Sequence, residues 1–191
     1  VMARLTDRAA RPAWLESELV RAARAVALRP ELHLLGNHLL ENGLALACAG
    51  AVTEGTEATL WRVLSRAILD AEIPVQFLGD GGHDERSATY HLALTHGLLE
   101  VLELWGASGH DVPRAWRDAA ARALAWIETV RAPDGTVPLF NDAALDAAPT
   151  AADVLALGRA LHLHVPTSTA CDGVTVLAST GWIIARAQDA W

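Results

Sequence analysis

Residues 113–127 read PRAWRDAAARALAWI, and this stretch has the clearest helical periodicity of the chain. Its apolar side chains recur at spacings of three and four residues, at Trp116, Ala119, Ala120, Ala123, Leu124 and Ile127. That spacing places them along one face of an α-helix, and Pro113 suits the first turn, where no backbone N–H is needed. The segment therefore predicts an amphipathic helix that packs on other helices.

Five further segments repeat this pattern, each with a residue near one end that suits a helix boundary. The predicted helices cover residues 12–29, 32–51, 56–71, 87–105 and 150–164. We expect Pro74 to stop the third helix of the chain and Gly106 to stop the fourth. Thr150 and Asp153 have the spacing of a capping box at the start of the last helix. Six helices joined by irregular loops indicate an α/α packing.

The character of the chain changes after Pro166. Residues 174–178 and 182–187 are short apolar or β-branched runs separated by Ser179-Thr180-Gly181, which indicates a strand, a turn and a strand. We expect these strands to pair with each other or with a neighbour, because an unpaired sheet edge invites association. Since two strands alone are marginally stable, we expect them to start a sheet that continues beyond Trp191 in a longer chain.

The composition is that of a packed globular protein, with 52% hydrophobic and 20% charged residues. The net charge of −8 has the wrong sign for a general nucleic-acid binder. The apolar runs are shorter than the roughly 20 residues that a membrane span needs. The glycine motifs of nucleotide-binding loops, the serine elbow of hydrolases and HExxH are absent from the sequence. We therefore expect no nucleic-acid partner, and we expect no membrane-spanning segment.

Residues 36–42 read GNHLLEN and give the second predicted helix an unusual polar side. At 100° per residue, a single stripe of this helix contains Asn37, His38, Glu41 and Asn42. The solvated face of residues 113–127 uses arginine and aspartate instead, and asparagine and histidine are poorer helix formers. The stripe is either a functional site or a hydrogen-bonded network between helices, and the residues alone leave both open.

Residues 78–97 read LGDGGHDERSATYHLALTHG, a glycine-rich loop that runs into the fourth predicted helix. Tyr90 is the only tyrosine of the chain, with Arg86 one turn before it and His91 directly after it. A guanidinium at that distance favours the phenolate form, which makes Tyr90 a candidate base. The alternative is that Tyr90 is an amphipathic packing residue and that His91 lies in the core or at the surface.

Three stretches of the chain carry a resemblance to a known family. They are GNHLLENGLALACAG at 36–50, DGGHDERSATYH at 80–91 and DGTVPLFNDAA at 134–144. In this order they resemble the α/α-toroid region of the heparinase II/III family of polysaccharide lyases, which includes related alginate lyases. Asp84 stands where the family commonly has an aromatic residue, and Ala88-Thr89 replace its usual Pro-Met, but the tyrosine is kept.

The resemblance implies a mainly α fold, an incomplete (α/α) toroid of helical hairpins followed by an antiparallel β-sandwich. Residues 1–165 would form part of the toroid, and residues 166–191 a linker and the first strands of the sandwich. The sandwich would continue past Trp191 and supply a catalytic or metal-binding histidine cluster, so we expect this fragment to be inactive alone. We expect no cofactor in this chain, and a structural metal in the missing sandwich is left open.

The implied activity is β-elimination on a uronic-acid-containing polysaccharide, which makes the protein a carbon–oxygen lyase with an acidic polysaccharide as its partner. Tyr90 would transfer the proton, and Asn37 and His38 would bind the substrate carboxylate. The residues assigned to substrate binding are Glu41, Arg86, His91 and His83, and no metal ligand is assigned. The resemblance implies a periplasmic or secreted protein, while a cytoplasmic location and an oligomeric state are left open.

Two other functions are kept beside the lyase. A glycoside hydrolase on an α/α toroid would use paired carboxylates such as Glu41 with Asp80 or Asp84. A non-catalytic helical module would bind a polysaccharide or a partner protein. An ultraviolet-absorbing unsaturated product separates a lyase from a hydrolase. Heparan-type chains, alginate and bacterial exopolysaccharides all remain open as substrates.

Overall fold

The computed structural model describes residues 12–34, 36–165 and 173–187. Its described residues contain the helices α1 (Ala13–Leu28), α2 (His38–Val52), α3 (Thr56–Gln76), α4 (Ala88–Ala107), α5 (Arg114–Val130) and α6 (Ala151–Ala160). They also contain the strands β1 (Gly173–Leu177) and β2 (Trp182–Arg186), which pair antiparallel. The mainly helical chain and the closing hairpin are therefore confirmed. Residues 166–172, the first part of the segment 166–191 predicted as linker and start of the sandwich, lie outside the described residues.

The chain divides into two compact units. The first unit comprises the described residues up to Ile73 together with Glu100–Trp116. The second unit comprises Pro74–Leu99 and the described residues from Arg117 onward. None of the helices in the described ranges is both long enough and apolar enough to cross a membrane.

The core of the first unit lies among α1, α2 and α3. Alanine, leucine, isoleucine and tryptophan side chains are buried together there, at Ala23, Leu46, Ala49, Ala58, Trp61 and Ile68. Gly43 permits a close approach of α2 and α3, since a Cβ at this position would lie 2.8 Å from Cγ2 of Ile68. Trp105 of α4 donates its indole N–H to the carbonyl of Ala47 at 3.0 Å. Removing this apolar surface from water stabilises the helical hairpins.

The second unit is built around α5. The predicted apolar face of this helix is buried at Ala119, Ala120, Ala123, Leu124 and Ile127. Gly158 of α6 packs against it, because a Cβ on Gly158 would lie 2.5 Å from Cδ1 of Leu124. The hairpin of β1 and β2 contacts the C-terminal end of α5. There the Arg186 guanidinium donates to the carbonyls of Thr129 and Arg131 at 2.6 and 3.1 Å. These bonds satisfy carbonyl groups that the end of α5 leaves without helical partners.

The start of α2 differs from the prediction. α2 begins at His38 and not near residue 32. Residues 32 and 33 form a turn, and Gly36 has a φ of +77°, a left-handed conformation that interrupts a helix. Asn37 and His38 therefore lie at the N-terminus of α2, and the prediction that both are in mid-helix is wrong.

The predicted ends of α3 and α4 are also wrong. α3 continues past Pro74 to Gln76, because a proline in the last turn removes only one helical hydrogen bond. α4 passes Gly106 and ends at Ala107. The left-handed glycine that follows it is Gly109, with a φ of +73°. It redirects the chain after the helix, as glycine commonly does at helix ends.

α6 begins as predicted and ends early. The Thr150 hydroxyl accepts the Asp153 N–H at 3.2 Å and donates to Oδ2 of Asp153, so Thr150 is the N-cap, while the return bond of a capping box, from the Thr150 N–H, is not among the bonds of the described residues. The helix ends at Ala160 and does not reach His164. His162 has a φ of +55°, which takes the chain out of the helical conformation.

Candidate active site

Asn37 and His38 lie at the N-terminus of α2 in the first unit. Asn37 is the residue before the helix, with φ −77° and ψ −9°, and its carbonyl accepts the Glu41 N–H at 2.9 Å. Its side chain makes no capping hydrogen bond to the helix. The N-terminus of a helix carries backbone N–H groups without helical partners and a partial positive charge, which together favour an anion. This position explains the polar residues, because asparagine and histidine are unfavourable in mid-helix but can bind an anion at a helix N-terminus.

A carboxylate stands beside His38, and it belongs to Glu31. The Nδ1 of His38 lies 3.7 Å from Oε2 of Glu31, and both side chains are about half exposed. The buried Asn42 fixes Glu31, because its Nδ2 donates to Oε2 at 2.9 Å and its Oδ1 accepts the Glu31 N–H at 2.8 Å. A carboxylate on one side of an imidazole orients the ring and leaves its other nitrogen for a ligand.

Glu41, which is predicted to bind substrate, lies in the first turn of α2. Glu41 is exposed, and its side chain makes no hydrogen bond or ion pair within the described part of the chain. It therefore does not orient His38, although it stays free to contact a sugar. The available signal for Glu31 was Asn42 on the polar stripe, a buried amide that needed a partner. The sequence predicts a helix that begins at residue 32, directly after Glu31. In the structure the helix begins at His38, and Glu31 lies in a loop that folds back onto it.

Tyr90 is the third residue of α4, in the second unit. The fully buried Ser87 precedes this helix, and its hydroxyl accepts the Tyr90 N–H at 3.4 Å. The Tyr90 side chain is half-buried, and its hydroxyl has no hydrogen-bond partner among residues 12–34, 36–165 and 173–187. The Tyr90 hydroxyl therefore lies at the start of an ordered helix and forms no hydrogen bond within the described residues.

Arg86 lies outside α4, so the prediction that it is one helical turn from Tyr90 is wrong. Its φ of +58° is left-handed, and its backbone N–H donates to the carbonyl of His83 at 3.0 Å. Its side chain is exposed and forms no ion pair in the part of the chain that the structure describes. An exposed guanidinium without a carboxylate partner is suited to bind a carboxylate or sulfate group.

His91 lies in the core of the second unit. It is fully buried, with Nε2 3.1 Å from the carbonyl oxygen of Ala123 and its ring centroid 4.4 Å from that of Trp126. Burial lowers the pKa of His91 to about 3, so the imidazole is neutral. A side chain enclosed in this way has no surface for a sugar, and the structure does not support its predicted role in substrate binding.

His83 is also enclosed. Its Nε2 lies 3.0 Å from Oε1 of the buried Gln76, and its ring packs edge-on to Phe77. Burial lowers the pKa of His83, and the nearby Asp84 carboxylate opposes this shift. His83 thus fixes the glycine-rich loop from inside, and its predicted substrate contact is not supported either.

The glycines of this loop are required by packing. Gly81 has a φ of +91°, and a Cβ there would lie 2.2 Å from the carbonyl oxygen of Arg122. A Cβ on Gly82 would lie 2.4 Å from Cγ2 of Thr180 and 2.5 Å from Nε1 of Trp126. Within the described ranges, no three histidine, cysteine, aspartate or glutamate side chains form a group that could hold a metal ion.

The loop of residues 133–149 packs against the start of α4. The Thr89 hydroxyl donates to the carbonyl of Ala144 at 3.1 Å and accepts its N–H at 2.9 Å. The Asn141 side-chain amide donates to the carbonyl of Arg86 at 3.3 Å. The loop therefore holds the helix end that carries Tyr90, a contact between residues about 55 positions apart that the sequence does not reveal.

Comparison with known proteins places these observations in one family. Residues 10–158 match the family model described as heparinase II/III N-terminus. A heparin-sulfate lyase from Bacteroides stercoris is 35% identical over 114 residues, which are 58% of this chain and 17% of that protein. A heparin-sulfate lyase from Bacteroides thetaiotaomicron is 29% identical over 143 residues, 69% of this chain and 20% of that protein.

Solved structures give the same result. A crystal structure of heparinase III has a TM-score of 0.57 at 27% identity, covering 68% of this chain and 22% of the other. A heparinase III gene product has a TM-score of 0.56 at 27% identity, covering 72% of this chain and 24% of the other. These likenesses confirm the predicted fold class, part of a helical toroid followed by antiparallel strands. The chain spans about a fifth of the length of the relatives that it matches.

Proposed function

Because the chain belongs to the heparinase II/III family, we propose that it forms part of a polysaccharide lyase that cleaves an acidic polysaccharide by β-elimination. Both similar proteins described above are heparin-sulfate lyases. This favours a glycosaminoglycan of the heparan type over alginate or a bacterial exopolysaccharide as the substrate. The other two functions considered, a glycoside hydrolase and a binding module, serve as the competing outcomes of the test.

The residues of the site have three tasks: they neutralise the uronate carboxylate, remove the proton on the carbon next to it, and protonate the leaving oxygen. A base removes the proton on the carbon next to the uronate carboxylate, the C–O bond to the leaving sugar breaks, and a carbon–carbon double bond forms. The leaving oxygen then takes a proton. Because the carbon acid is weak, the carboxylate must be neutralised while negative charge spreads onto it.

The observation that carries the proposal is the position of Asn37 and His38 at the N-terminus of α2. The partial positive charge of the helix end, an amide and an imidazole together suit the carboxylate of a uronate. Glu31 supports this role, since its carboxylate lies 3.7 Å from Nδ1 of His38 and is itself fixed by Asn42. We assign charge stabilisation to Asn37 and His38, with Glu31 as the group that orients the imidazole.

Tyr90 is assigned the proton transfer. Its hydroxyl serves no hydrogen bond of the fold within the described residues, and the first turn of α4 that carries it is fixed by Ser87 and Thr89. A phenolate that takes a proton becomes a phenol that can return it to the leaving oxygen, so one residue serves both steps. We assign no cofactor of this chain to the step.

Substrate binding is assigned to Arg86 and Glu41. The exposed Arg86 guanidinium has no ion-pair partner in the described ranges and suits a sulfate or carboxylate of the polymer. The exposed Glu41 carboxylate suits a sugar hydroxyl. His83 and His91 are omitted, because both are buried in the second unit.

The test follows the products of the complete protein that contains these residues, incubated separately with heparan sulfate, alginate and an uncharged polysaccharide. We expect new chain ends that absorb ultraviolet light, formed from heparan sulfate, because elimination creates a double bond conjugated to the carboxylate. New reducing ends without that absorbance would establish hydrolysis instead. Binding without any cleavage would establish the non-catalytic module.

A further inference from the structure

The first turn of α4 is tied to residues 141–144 of the 133–149 loop at two points. On one side, the buried Thr89 hydroxyl and the backbone of Ala144 exchange two hydrogen bonds, at 2.9 and 3.1 Å. On the other side, the Asn141 amide donates to the carbonyl of Arg86 at 3.3 Å. Of the two anchored residues, Arg86 lies directly before Ser87 and Thr89 lies directly before Tyr90.

The backbone on both sides of this contact is in an uncommon conformation. Arg86 has a φ of +58°, and Asn141 and Asp142 have φ values of +49° and +61°. Left-handed residues other than glycine persist where the surrounding structure fixes them, and they concentrate at functional sites. Asn141 is suited to both tasks, since asparagine tolerates this conformation and its side chain supplies the donor.

The large apolar side chains of the loop are mostly exposed, and the ring contact of Phe140 is to Trp182 of β2. Leu139 is 48% exposed and Leu145 is 74% exposed. A cavity of about 370 Å³ also separates parts of the loop from α4, with Thr89 and Leu92 in its wall. The polar contacts of Thr89 and Asn141 are therefore what fixes the loop to the start of α4.

We propose that Thr89 and Asn141 are positioning residues, which hold the first turn of α4 so that the Tyr90 hydroxyl is presented to the substrate in a fixed orientation. This inference rests on the proposed function, in which Tyr90 transfers the proton. Neither residue touches the reacting atoms. Displacement of a reacting group by about 1 Å costs on the order of a hundredfold in rate, so the loss of either anchor should lower kcat.

The experiment uses Thr89→Val and Asn141→Gly in the complete protein, with heparan sulfate as the substrate. Thr89→Val keeps the shape and removes the hydroxyl, whereas Thr89→Ser keeps the hydroxyl and should rescue. Asn141→Gly keeps the left-handed backbone and removes the donor. Asp142→Gly adds the same backbone freedom at a residue whose side chain makes no hydrogen bond among the described residues, so it is the matched control. Tyr90→Phe is measured in parallel.

We expect Thr89→Val and Asn141→Gly to lower kcat by about 10- to 100-fold with KM close to that of the wild type. Thr89→Ser and Asp142→Gly should stay near the wild-type kcat. Hydrogen exchange supplies a readout without substrate, because the Ala144 N–H donates to the Thr89 hydroxyl and should exchange faster in Thr89→Val.

Two results would overturn the inference while leaving the proposed function intact. One is wild-type kcat in Thr89→Val and Asn141→Gly together with an inactive Tyr90→Phe. The other is unchanged exchange of the Ala144 amide in Thr89→Val. An active Tyr90→Phe would instead remove the proposed function, and the positioning role would fall with it.

Discussion

Thr180 donates both its backbone N–H and its hydroxyl to Oδ2 of Asp80, a residue 100 positions earlier in the chain, at 2.8 and 3.0 Å. The other oxygen of Asp80 accepts the N–H of Gly82 at 3.2 Å. Thr180 is buried, so these bonds are shielded from water. Asp80 thereby joins the glycine-rich loop to the turn between β1 and β2.

The first prediction concerns Asp80 as a structural carboxylate. Asp80→Ala leaves the N–H groups of Gly82 and Thr180 without partners, which should lower the free energy of unfolding by about 1 to 3 kcal/mol. Turnover per folded molecule should change little. Denaturant unfolding and an activity assay on the same sample measure both, with Asp111→Ala, at an exposed position, as the matched control. A stable Asp80→Ala protein that has lost its turnover would favour the hydrolase, in which Asp80 is an acid or base.

The second prediction concerns Gly82. Gly82→Ala would place a Cβ 2.4 Å from Cγ2 of Thr180 and 2.5 Å from Nε1 of Trp126, and an indole ring in a packed core cannot move aside cheaply. Overpacking of this kind costs about 1 to 3 kcal/mol. Gly106→Ala is the control, since Gly106 lies in α4 with nothing within 4 Å of its Cβ position. That change should raise stability by up to about 1 kcal/mol, because alanine is a better helix former.

Thermal unfolding of the two glycine variants beside the wild type checks this prediction. A Gly82→Ala protein with the wild-type melting temperature would show that the loop does not approach Trp126 as closely as the structure has it.

The third prediction is a pH dependence of stability from His91. Burial lowers the pKa of His91 to about 3, against 6.5 for an unperturbed histidine. Between these values the unfolded chain binds a proton that the folded chain excludes, so the free energy of unfolding falls as the pH is lowered. The slope from one such group is at most about 1.4 kcal/mol per pH unit. Burial also lowers the pKa of His83, which adds to the effect with the same sign.

Unfolding midpoints of the wild type and of His91→Gln between pH 7.5 and pH 4.5 test this dependence. The variant should lose less stability per pH unit, because it lacks one group that the folded state keeps neutral. His33→Gln, a histidine substitution at an exposed position, is measured in parallel. Equal slopes in wild type and His91→Gln would contradict the burial of a neutral His91.

The fourth prediction concerns the Cys48 thiol. Burial, with a smaller contribution from the Glu100 carboxylate, raises the pKa of Cys48 from 9.0 to about 12. The thiolate is the reactive form, so the folded protein should react about a thousandfold more slowly with a thiol reagent at pH 8 than an unperturbed cysteine does. The measurement uses Cys171→Ser, since Cys171 lies outside the described residues. Denaturant should restore fast labelling, and fast labelling without denaturant would contradict the raised pKa of the Cys48 thiol.

The sequence predicts what depends on local pattern. The apolar face of α5 and the hairpin of β1 and β2 follow from periodicities of a few residues, and both are found where predicted. The start of α2 depends instead on the left-handed Gly36, which periodicity does not reveal. The resemblance to a family, rather than any local rule, brought Tyr90, Asn37 and His38 together as one set of functional residues.

The sequence does not show which polar side chains are buried. His91 is enclosed because Phe77 and Trp126 pack on its ring, and neither is close to it in sequence. Glu31 is a partner of His38 only because a loop folds back onto α2. Such contacts depend on tertiary packing between residues that are distant in sequence. A family motif alone therefore does not distinguish a histidine in the core from one that binds a ligand.

The most direct test of the central claim is the turnover of Tyr90→Phe in the complete protein, measured by formation of unsaturated product, with the melting temperature taken on the same preparation. The substitution removes one oxygen and keeps the half-buried aromatic ring. We predict a melting temperature near that of the wild type and a kcat lower by about 10² to 10⁴, the usual share of general acid–base catalysis. A Tyr90→Phe protein that keeps its turnover and loses stability would contradict the assignment of Tyr90 to proton transfer.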